Sequence, residues 1–128
     1  MSYYFSKIIE LSFDDAISKV KKDLQKEGFG ILTDIDLKQI LREKLDVDFR
    51  KYVILGACNP PFAHKALQAE DKIGTMLPCN VIVQEIAEGK VEVAAVDPAA
   101  SMQAVENQKL EEIAEQVREI LKRVIETL

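Results

Sequence analysis

The stretch "CNVIVQEIAEGKVEVAAVD", residues 79–97, predicts two apolar β-strands, 79–87 and 90–97. They are joined across Glu88 and Gly89, a pair with the character of a two-residue β-hairpin turn. The two strands are therefore expected to be antiparallel neighbours in one sheet, and the rest of the chain can be placed around them.

The turn also predicts which residues face each other across the hairpin. If the loop consists of Glu88 and Gly89, Asn80 lies opposite Asp97, and Cys79 lies beside Pro98. One end of the hairpin is then polar. The same register sets Glu85 opposite Glu92, which is unfavourable unless that face is in contact with water.

In this register both faces of the hairpin carry apolar side chains. One face has Ile82, Ile86, Val91, Val93 and Ala95, and the other has Val81, Val83, Ala94 and Val96. The helices of one small domain can cover one face, and monomeric proteins usually avoid exposing a contiguous apolar patch. We therefore expect a homodimer in which the second face packs on its own copy. The alternative is that one of the chain's own helices crosses to that face.

The remaining sequence predicts alternating strands and helices. Strands are expected at 3–11, 29–33 and 52–58, and helices from Ser12 to Gly28, after Asp36, over 60–71, and from Asp97 to the end of the chain. Lys7 is an exception to the alternation of the first strand. The order βαβαβαββα indicates one α+β domain over residues 1–128.

Composition limits the possible functions. The 128 residues are 48% hydrophobic, enough for a core, and the formal net charge of -5 disfavours nucleic acid as a partner. Neither a signal-type N-terminus nor a run of roughly 18 apolar residues is present, so no membrane association is expected and the protein is interpreted as cytoplasmic. Two cysteines in a reducing compartment are expected to be thiols rather than a structural disulfide.

Two Cys-Asn pairs are the most distinctive local feature of the chain. "LGACNPPFAH", residues 55–64, places Cys58 at the end of a strand and just before a helix N-terminus, and "MLPCNV", residues 76–81, repeats the pair. If strand 52–58 runs antiparallel to strand 79–87, then Cys58, Asn59, Cys79, Asn80 and Asp97 converge. This cluster is the candidate site.

The stretch "ILGACNPPFAHKALQAEDKIGTMLPCNVIV" resembles the central signature of the domain-of-unknown-function family numbered 302. The flanking "GFGILTDIDLKQILREKLDVDFRKYVILGACNPP" and "VEVAAVDPAASM" also match its pattern, so the resemblance covers nearly the whole chain. It implies a TATA-box-binding-protein-like architecture, with a curved, mainly antiparallel sheet packed by helices, and a homodimer. It brings no established activity, and the likeness to a DNA-binding fold is a weak argument for DNA. The matching positions are Gly56, Cys58, Asn59, Pro60, Ala63, Ala66, Glu70, Gly74, Leu77, Pro78, Cys79, Asn80, Asp97 and Pro98.

The two thiols allow both a reactive and a structural interpretation. Amides at a helix start stabilise a thiolate at Cys58, whereas Cys79 lacks a predicted helix N-terminus, and small buried cysteines are common at strand ends. A redox pair formed by the two requires Cα atoms within about 7 Å. The clustering allows that distance without establishing it.

The other candidates are polar residues near the same segment. Glu70 falls inside the apolar face of its helix, where a half-buried carboxylate serves as an acid or base, unless the helix frays there and Glu70 is solvated. His64, the only histidine, lies on the polar side of that helix and is a candidate ligand-binding residue. Side chains lean toward the helix N-terminus, so Cys58, Cys79 and His64 form a possible zinc or copper set, but no metal site is favoured. Asn59 and Asp97 are candidate ligand-binding residues that also suit helix caps, and Asn80 can satisfy loop backbone groups.

Three classes of function remain open. The first is a module that binds a small polar or anionic ligand through Asn59, Asn80 and the amides of a helix start. The second is a thiol-dependent enzyme or redox protein that uses Cys58 or Cys79. The third is a purely structural dimer module. We favour ligand binding because no base is positioned for a thiol nucleophile, and the sequence identifies neither a cofactor nor a reaction.

Overall fold

A five-stranded, fully antiparallel sheet forms the centre of the protein, which is described here from a computed structural model over residues 2–128. The strands follow one another across the sheet in the order β1, β5, β4, β3, β2. This arrangement confirms the α+β class and the expected antiparallel pairing of the third strand with the fourth. The strands are β1 (Tyr4–Ile9), β2 (Gly30–Asp36), β3 (Tyr52–Cys58), β4 (Cys79–Ala87) and β5 (Lys90–Val96).

Helices fill the connections between the strands. They are α1 (Phe13–Lys26), α2 (Leu37–Leu45), α3 (Pro60–Ala69), a 3₁₀ helix (Asp71–Met76), α4 (Pro98–Ser101) and α5 (Gln108–Glu126). The expected order of elements is confirmed as far as β5. None of the helices within residues 2–128 is long and apolar enough to cross a membrane.

The single final helix expected from Asp97 onward is wrong, because the chain breaks between α4 and α5. Asp97 does cap α4, accepting from the backbone N–H groups of Ala99 and Ala100. A second cap then starts α5, where Asn107 accepts from the N–H of Leu110 at 3.2 Å. The Asn107 amide also donates to the carbonyl of Ala69 at 2.8 Å, which ties the start of α5 to the end of α3.

Two other helix starts follow the sequence signals. The Ser12 hydroxyl accepts from the N–H of Asp15, and the Asp36 carboxylate accepts from the N–H of Gln39, both at 3.1 Å. Each contact satisfies one of the backbone donors that the first turn of a helix leaves unpaired. Gly28, with φ of 89°, follows α1 in the left-handed conformation that a glycine adopts most easily.

The register of the hairpin differs from the expected one by one residue over most of its length. Ala87 pairs with Lys90 as expected, but a bulge shifts the ladder between Ala87 and Glu85. Beyond the bulge Gln84, not Glu85, lies opposite Glu92, and the Gln84 amide donates to its carboxylate at 2.8 Å. The bulge therefore replaces an unfavourable pair of carboxylates with a hydrogen bond.

The same shift corrects the expected faces of the hairpin. Val81 and Val83 lie on the same buried face as Val91, Val93 and Ala95, where they join the main hydrophobic core with side chains of α1 and α5. The opposite face, called here the open face, carries alternate side chains including Tyr4, Ile8, Tyr52, Asn80, Ile82, Gln84, Glu92 and Ala94.

Lys7 lies on the helix-packed side of β1, and its partners explain why a lysine is tolerated there. Its ammonium group donates to the main-chain oxygens of Glu126 at 3.0 Å and Leu128 at 2.7 Å. These oxygens lie at the C-terminal end of α5, where unpaired carbonyls favour a cation. Lys7 thus anchors the last helix to the first strand.

Candidate functional site

A pocket lies where β3 ends and β4 begins, and it is enclosed by α3, α4 and α5. We call it the thiol pocket, because Cys58 and Cys79 both line it. Its other walls are Phe29, Ala57, Asn59, Leu77, Pro78 and Pro98, with Phe62, Ala63 and Ala66 from α3, and Met102, Leu110, Ile113, Ala114 and Val117 from the C-terminal segment. The cavity has a volume of about 40 Å³.

Strand pairing brings the two thiols together. Ala57 and Cys79 are direct partners between β3 and β4, and Cys58 is the next residue along β3. Strict alternation would turn the side chains of Cys58 and Cys79 to opposite faces of the sheet. Both nevertheless line one pocket, because β3 ends at Cys58 and the chain turns into α3 at Pro60.

The two cysteines differ in exposure. Cys79 is 7% exposed, whereas Cys58 is partly exposed. Burial, with a smaller contribution from the charge on Cys58, raises the pKa of Cys79 to about 11. Because Cys79 is buried, Cys58 is the cysteine that a reagent from solvent can reach.

Asn59 lines the pocket but does not cap α3 through its side chain. Its amide instead donates to the carbonyl of Glu27, at a length of 3.4 Å, which connects the start of α3 to the end of α1. Pro60 and Pro61 have no N–H, so the first turn of α3 offers an anion fewer donors than a usual helix start. The pocket is lined almost entirely by apolar side chains.

Asn80 lies away from the thiol pocket. It pairs with Gly56, one position beyond the pair formed by Ala57 and Cys79, and so its side chain points to the open face. There it lines a separate, shallow groove of about 370 Å³ with Tyr4, Tyr52 and other residues. The expected convergence therefore holds for Cys58, Asn59 and Cys79 and is wrong for Asn80.

Asp97 is also outside the thiol pocket, although its neighbour Pro98 lines it. Its side chain is buried and is occupied by structural contacts, since it caps α4 and accepts from Arg118 Nε at 3.1 Å. The Arg118 guanidinium also lies 5.2 Å from the centre of the Phe5 ring. Asp97 thus links α4 to α5, and no local sequence pattern identified its arginine partner.

His64 and Glu70 do not line the thiol pocket either. His64 is exposed on α3, and Glu70 follows the last residue of that helix, where it is partly exposed. No group of three or more His, Cys, Asp or Glu side chains within residues 2–128 is arranged to hold a metal ion. The pocket therefore presents two thiols and one amide without an adjacent titratable base.

Several pocket residues were missed because they come from the segment expected to be one long helix. Met102, Leu110 and Ala114 pack with Ala66 and Ile73 in a second hydrophobic cluster beside the main core. The polar Asn107 just before an apolar helical pattern was the available signal that a second helix begins there.

Comparison with known proteins agrees with this fold. The family model described as "Domain of unknown function DUF302" matches residues 5–128. The crystal structure of the uncharacterized conserved protein DUF302 from Bacillus stearothermophilus is similar to this chain with a TM-score of 0.90 and 25% sequence identity, over 98% of this chain and 98% of that chain. No curated protein gives a significant match. Since the family model covers nearly the whole chain, the protein belongs to the DUF302 family.

Proposed function

We propose that the protein binds a small molecule through the thiol pocket. The observation that supports this proposal is the pocket itself, in which Cys58, Cys79 and Asn59 meet an apolar wall built from three helices. Small-molecule sites commonly combine an apolar lining with a few polar groups that fix orientation. Here Asn59 and the partly exposed Cys58 are the polar groups.

The lining favours an apolar group on the ligand over the anionic one expected from the sequence. A cavity of about 40 Å³ holds a group of only a few heavy atoms, such as a short aliphatic chain, because one water-sized sphere already needs roughly 10–15 Å³. A polar remainder of the ligand would lie outside, near Asn59. Within residues 2–128, the Asn59 side-chain oxygen has no donor bonded to it and is therefore available as an acceptor.

The pocket supports hydrolytic or transfer chemistry less well than binding. A cysteine nucleophile is usually activated by a nearby base, and neither His64 nor Glu70 lines the pocket. No aspartate, glutamate or lysine of residues 2–128 lines it.

Thiol-directed reagents test the proposal. The reaction of Cys58 with propyl methanethiosulfonate should saturate as the reagent concentration rises. After each rate is divided by the rate of free cysteine with the same reagent, this reaction should be about tenfold faster than that with the charged 2-sulfonatoethyl methanethiosulfonate. The preference arises because the propyl group leaves water on entering the pocket, at about 0.8 kcal/mol for each buried methylene. Mass spectrometry of the intact protein gives both rates.

A matched pair of variants on α3 provides the control. Ala63→Leu fills part of the pocket and should abolish the preference for the propyl reagent, whereas Gln68→Leu adds the same side chain at an exposed position and should leave it unchanged. Equal normalised rates for the two reagents in the unmodified protein would reject the proposal.

We also propose that the protein forms a homodimer through the open face of the sheet. Tyr4 and Ile8 of this face are 42% and 57% exposed, and Ile82 and Ala94 are partly exposed near its centre. The main core and the contacts of α1 and α5 with the sheet lie on the other side. Exposed apolar side chains grouped on one face are typical of an interaction surface.

The size and charge of the open face suit a second copy of the chain. Five strands of this length present a face on the order of 500 Å² in projection, comparable with the roughly 800 Å² of accessible surface that each partner buries in a specific dimer. The carboxylate of Glu92, near the centre, already accepts from Gln84. An isologous pairing about a two-fold axis would let each copy cover the same patch of the other.

Sedimentation equilibrium at micromolar concentration tests the dimer. The unmodified protein should show twice the chain mass of 14.4 kDa. Ile82→Glu should give a monomer, because it places a charge at the centre of the interface, whereas Leu67→Glu on α3 should remain dimeric. A monomer mass for the unmodified protein would reject the dimer and leave the open face exposed to solvent.

A further inference from the structure

We propose that Cys58 and Cys79 form a reversible intramolecular disulfide, which makes the wall of the thiol pocket a site of thiol–disulfide exchange. This inference does not depend on the ligand proposal. It rests on the position of both cysteines at one end of β3 and β4, and on their shared pocket.

The backbone geometry fits a disulfide. Paired Cα atoms of antiparallel strands lie roughly 4.5–5.5 Å apart, and a strand advances about 3.4 Å per residue. Cys58 is one residue beyond the partner of Cys79, so their Cα atoms are expected to lie about 6 Å apart. Disulfides join Cα atoms that are about 4.4–6.8 Å apart.

Both cysteines also line the same cavity. Strict alternation would place their side chains on opposite faces of the sheet, but β3 ends at Cys58, and both residues contribute to the wall of one pocket. They are close enough for the charge on one thiol to affect the other, since the charge on Cys58 contributes to the raised pKa of Cys79.

The difference in exposure defines the order of the reaction with a low-molecular-weight disulfide such as glutathione disulfide. The partly exposed Cys58 loses its proton to solvent, its thiolate attacks one sulfur of glutathione disulfide, and one glutathione thiolate leaves. Cys79 then loses its proton, attacks Sγ of Cys58, and releases the second glutathione. Two protein thiols are oxidised by two electrons, and one glutathione disulfide is reduced to two glutathione molecules.

The second step should depend strongly on pH. At neutral pH only a small fraction of Cys79 is thiolate, because burial raises its pKa to about 11. The rate of the second step should therefore rise about tenfold per pH unit, and be about a hundredfold faster at pH 9 than at pH 7. The mixed disulfide on Cys58 should accumulate at pH 7 and convert at pH 9.

The experiment compares the unmodified protein with Cys58→Ser and Cys79→Ser. Each is incubated with glutathione disulfide at pH 7 and pH 9, quenched with acid and weighed by mass spectrometry. The unmodified protein should end at a mass lower by two hydrogen atoms. Cys79→Ser should stop at the mixed disulfide, and Cys58→Ser should remain unmodified over the same time, because its remaining thiol is buried.

Two results would overturn the proposal. The first is that the mixed disulfide persists at pH 9 in the unmodified protein, as it should in Cys79→Ser. The second is that oxidation of the unmodified protein yields only disulfide-linked dimers. Circular dichroism checks that each variant is folded, and Cys79→Ala replaces Cys79→Ser if the buried hydroxyl prevents folding. A failed ligand test with a successful disulfide test would reject the binding proposal alone.

Discussion

Gly56 shows how one residue can determine the packing beside the thiol pocket. It lies in β3, opposite Asn80 and next to Thr33 of β2. A Cβ atom at this position would overlap Thr33 Oγ1 and lie 2.7 Å from Cγ of Pro78, the residue before Cys79. The absence of a side chain therefore lets Thr33 and Pro78 pack directly against the strand.

Gly56→Ala is accordingly expected to destabilise the protein. The free energy of unfolding should fall by about 1–3 kcal/mol, since Thr33 and Pro78 must move to admit the methyl group. Gly30→Ala is the control, because a Cβ there would meet only the carbonyl oxygen of Cys58, at 3.9 Å. Urea unfolding of both variants gives the two free energies, and equal losses would contradict the packing explanation.

Cys79 makes stability depend on pH in the alkaline range. Above the ordinary thiol pKa, near 9, the unfolded chain loses a proton that folded Cys79 keeps until its own pKa of about 11. The folded state binds more protons in this window, so the free energy of unfolding falls as pH rises. Below about pH 9 both states keep the proton and the contribution of Cys79 is constant.

The difference in unfolding free energy between the unmodified protein and Cys79→Ala should therefore decrease by about 1.4 kcal/mol per pH unit between pH 9 and pH 11. Urea unfolding under reducing conditions, at constant protein concentration, measures this difference. All other side chains are common to both proteins. A difference that stays constant with pH would show that Cys79 is not buried as a neutral thiol.

At the scale of elements, the short helix α4 contributes to the fold mainly through the contacts of the residues at its two ends. Asp97 begins it and also binds Arg118 of α5, while Pro98 and Met102 pack on the thiol pocket. The helix α2 has a comparable cap at Asp36, but none of its residues is buried. Two carboxylate caps thus start helices that contribute very differently to the core.

These two caps should have unequal effects on stability. Asp97→Ala should lower the free energy of unfolding by about 1–2 kcal/mol. Asp36→Ala should lower it by at most about 0.5–1 kcal/mol, because α2 can fray without exposing the core. Asp97→Asn should recover part of the loss, since asparagine also caps helices. Thermal and urea unfolding test this order, and an equal or larger loss for Asp36→Ala would contradict it.

At the scale of the whole molecule, the sheet divides the protein into a covered side and an open side. The helices α1 and α5 bury the covered side in one continuous core. The open side retains exposed isoleucine and tyrosine residues beside a groove of about 370 Å³ lined by Tyr52, Asn80 and Gln84. Assembly of two copies through this face would therefore raise the free energy of unfolding, because it removes the apolar side chains of the face from water.

If the proposed dimer forms, the midpoint of thermal unfolding should increase with protein concentration, since association stabilises only the folded chain. A tenfold increase in concentration should raise the midpoint by a few degrees for the unmodified protein and for Leu67→Glu. The midpoint of Ile82→Glu should not change. Differential scanning calorimetry over a range of concentrations provides the measurement, and a concentration-independent midpoint for the unmodified protein would argue against the dimer.

The sequence by itself determined the features that depend on neighbouring residues. Alternation, the Glu88–Gly89 turn, and the caps at Ser12 and Asp36 predicted the strands and most helices, because each signal acts within a few residues. The signature around Cys58 and Cys79 was sufficient to indicate the family. The shared pocket of the two thiols also followed from the assumed antiparallel pairing of two strands.

Only the tertiary structure decided which side chains face each other across the fold. The bulge beside Glu85 moved the hairpin register by one residue, and a shift of one residue exchanges the two faces of a strand. Asn80 faces away from the pocket because it follows Cys79 in β4, and successive side chains of a strand point to opposite faces. Asp97 is engaged by Arg118, and Met102 closes the pocket, through contacts between residues distant in sequence. Local periodicity carries no information about such contacts, because they depend on how the helices pack on the sheet.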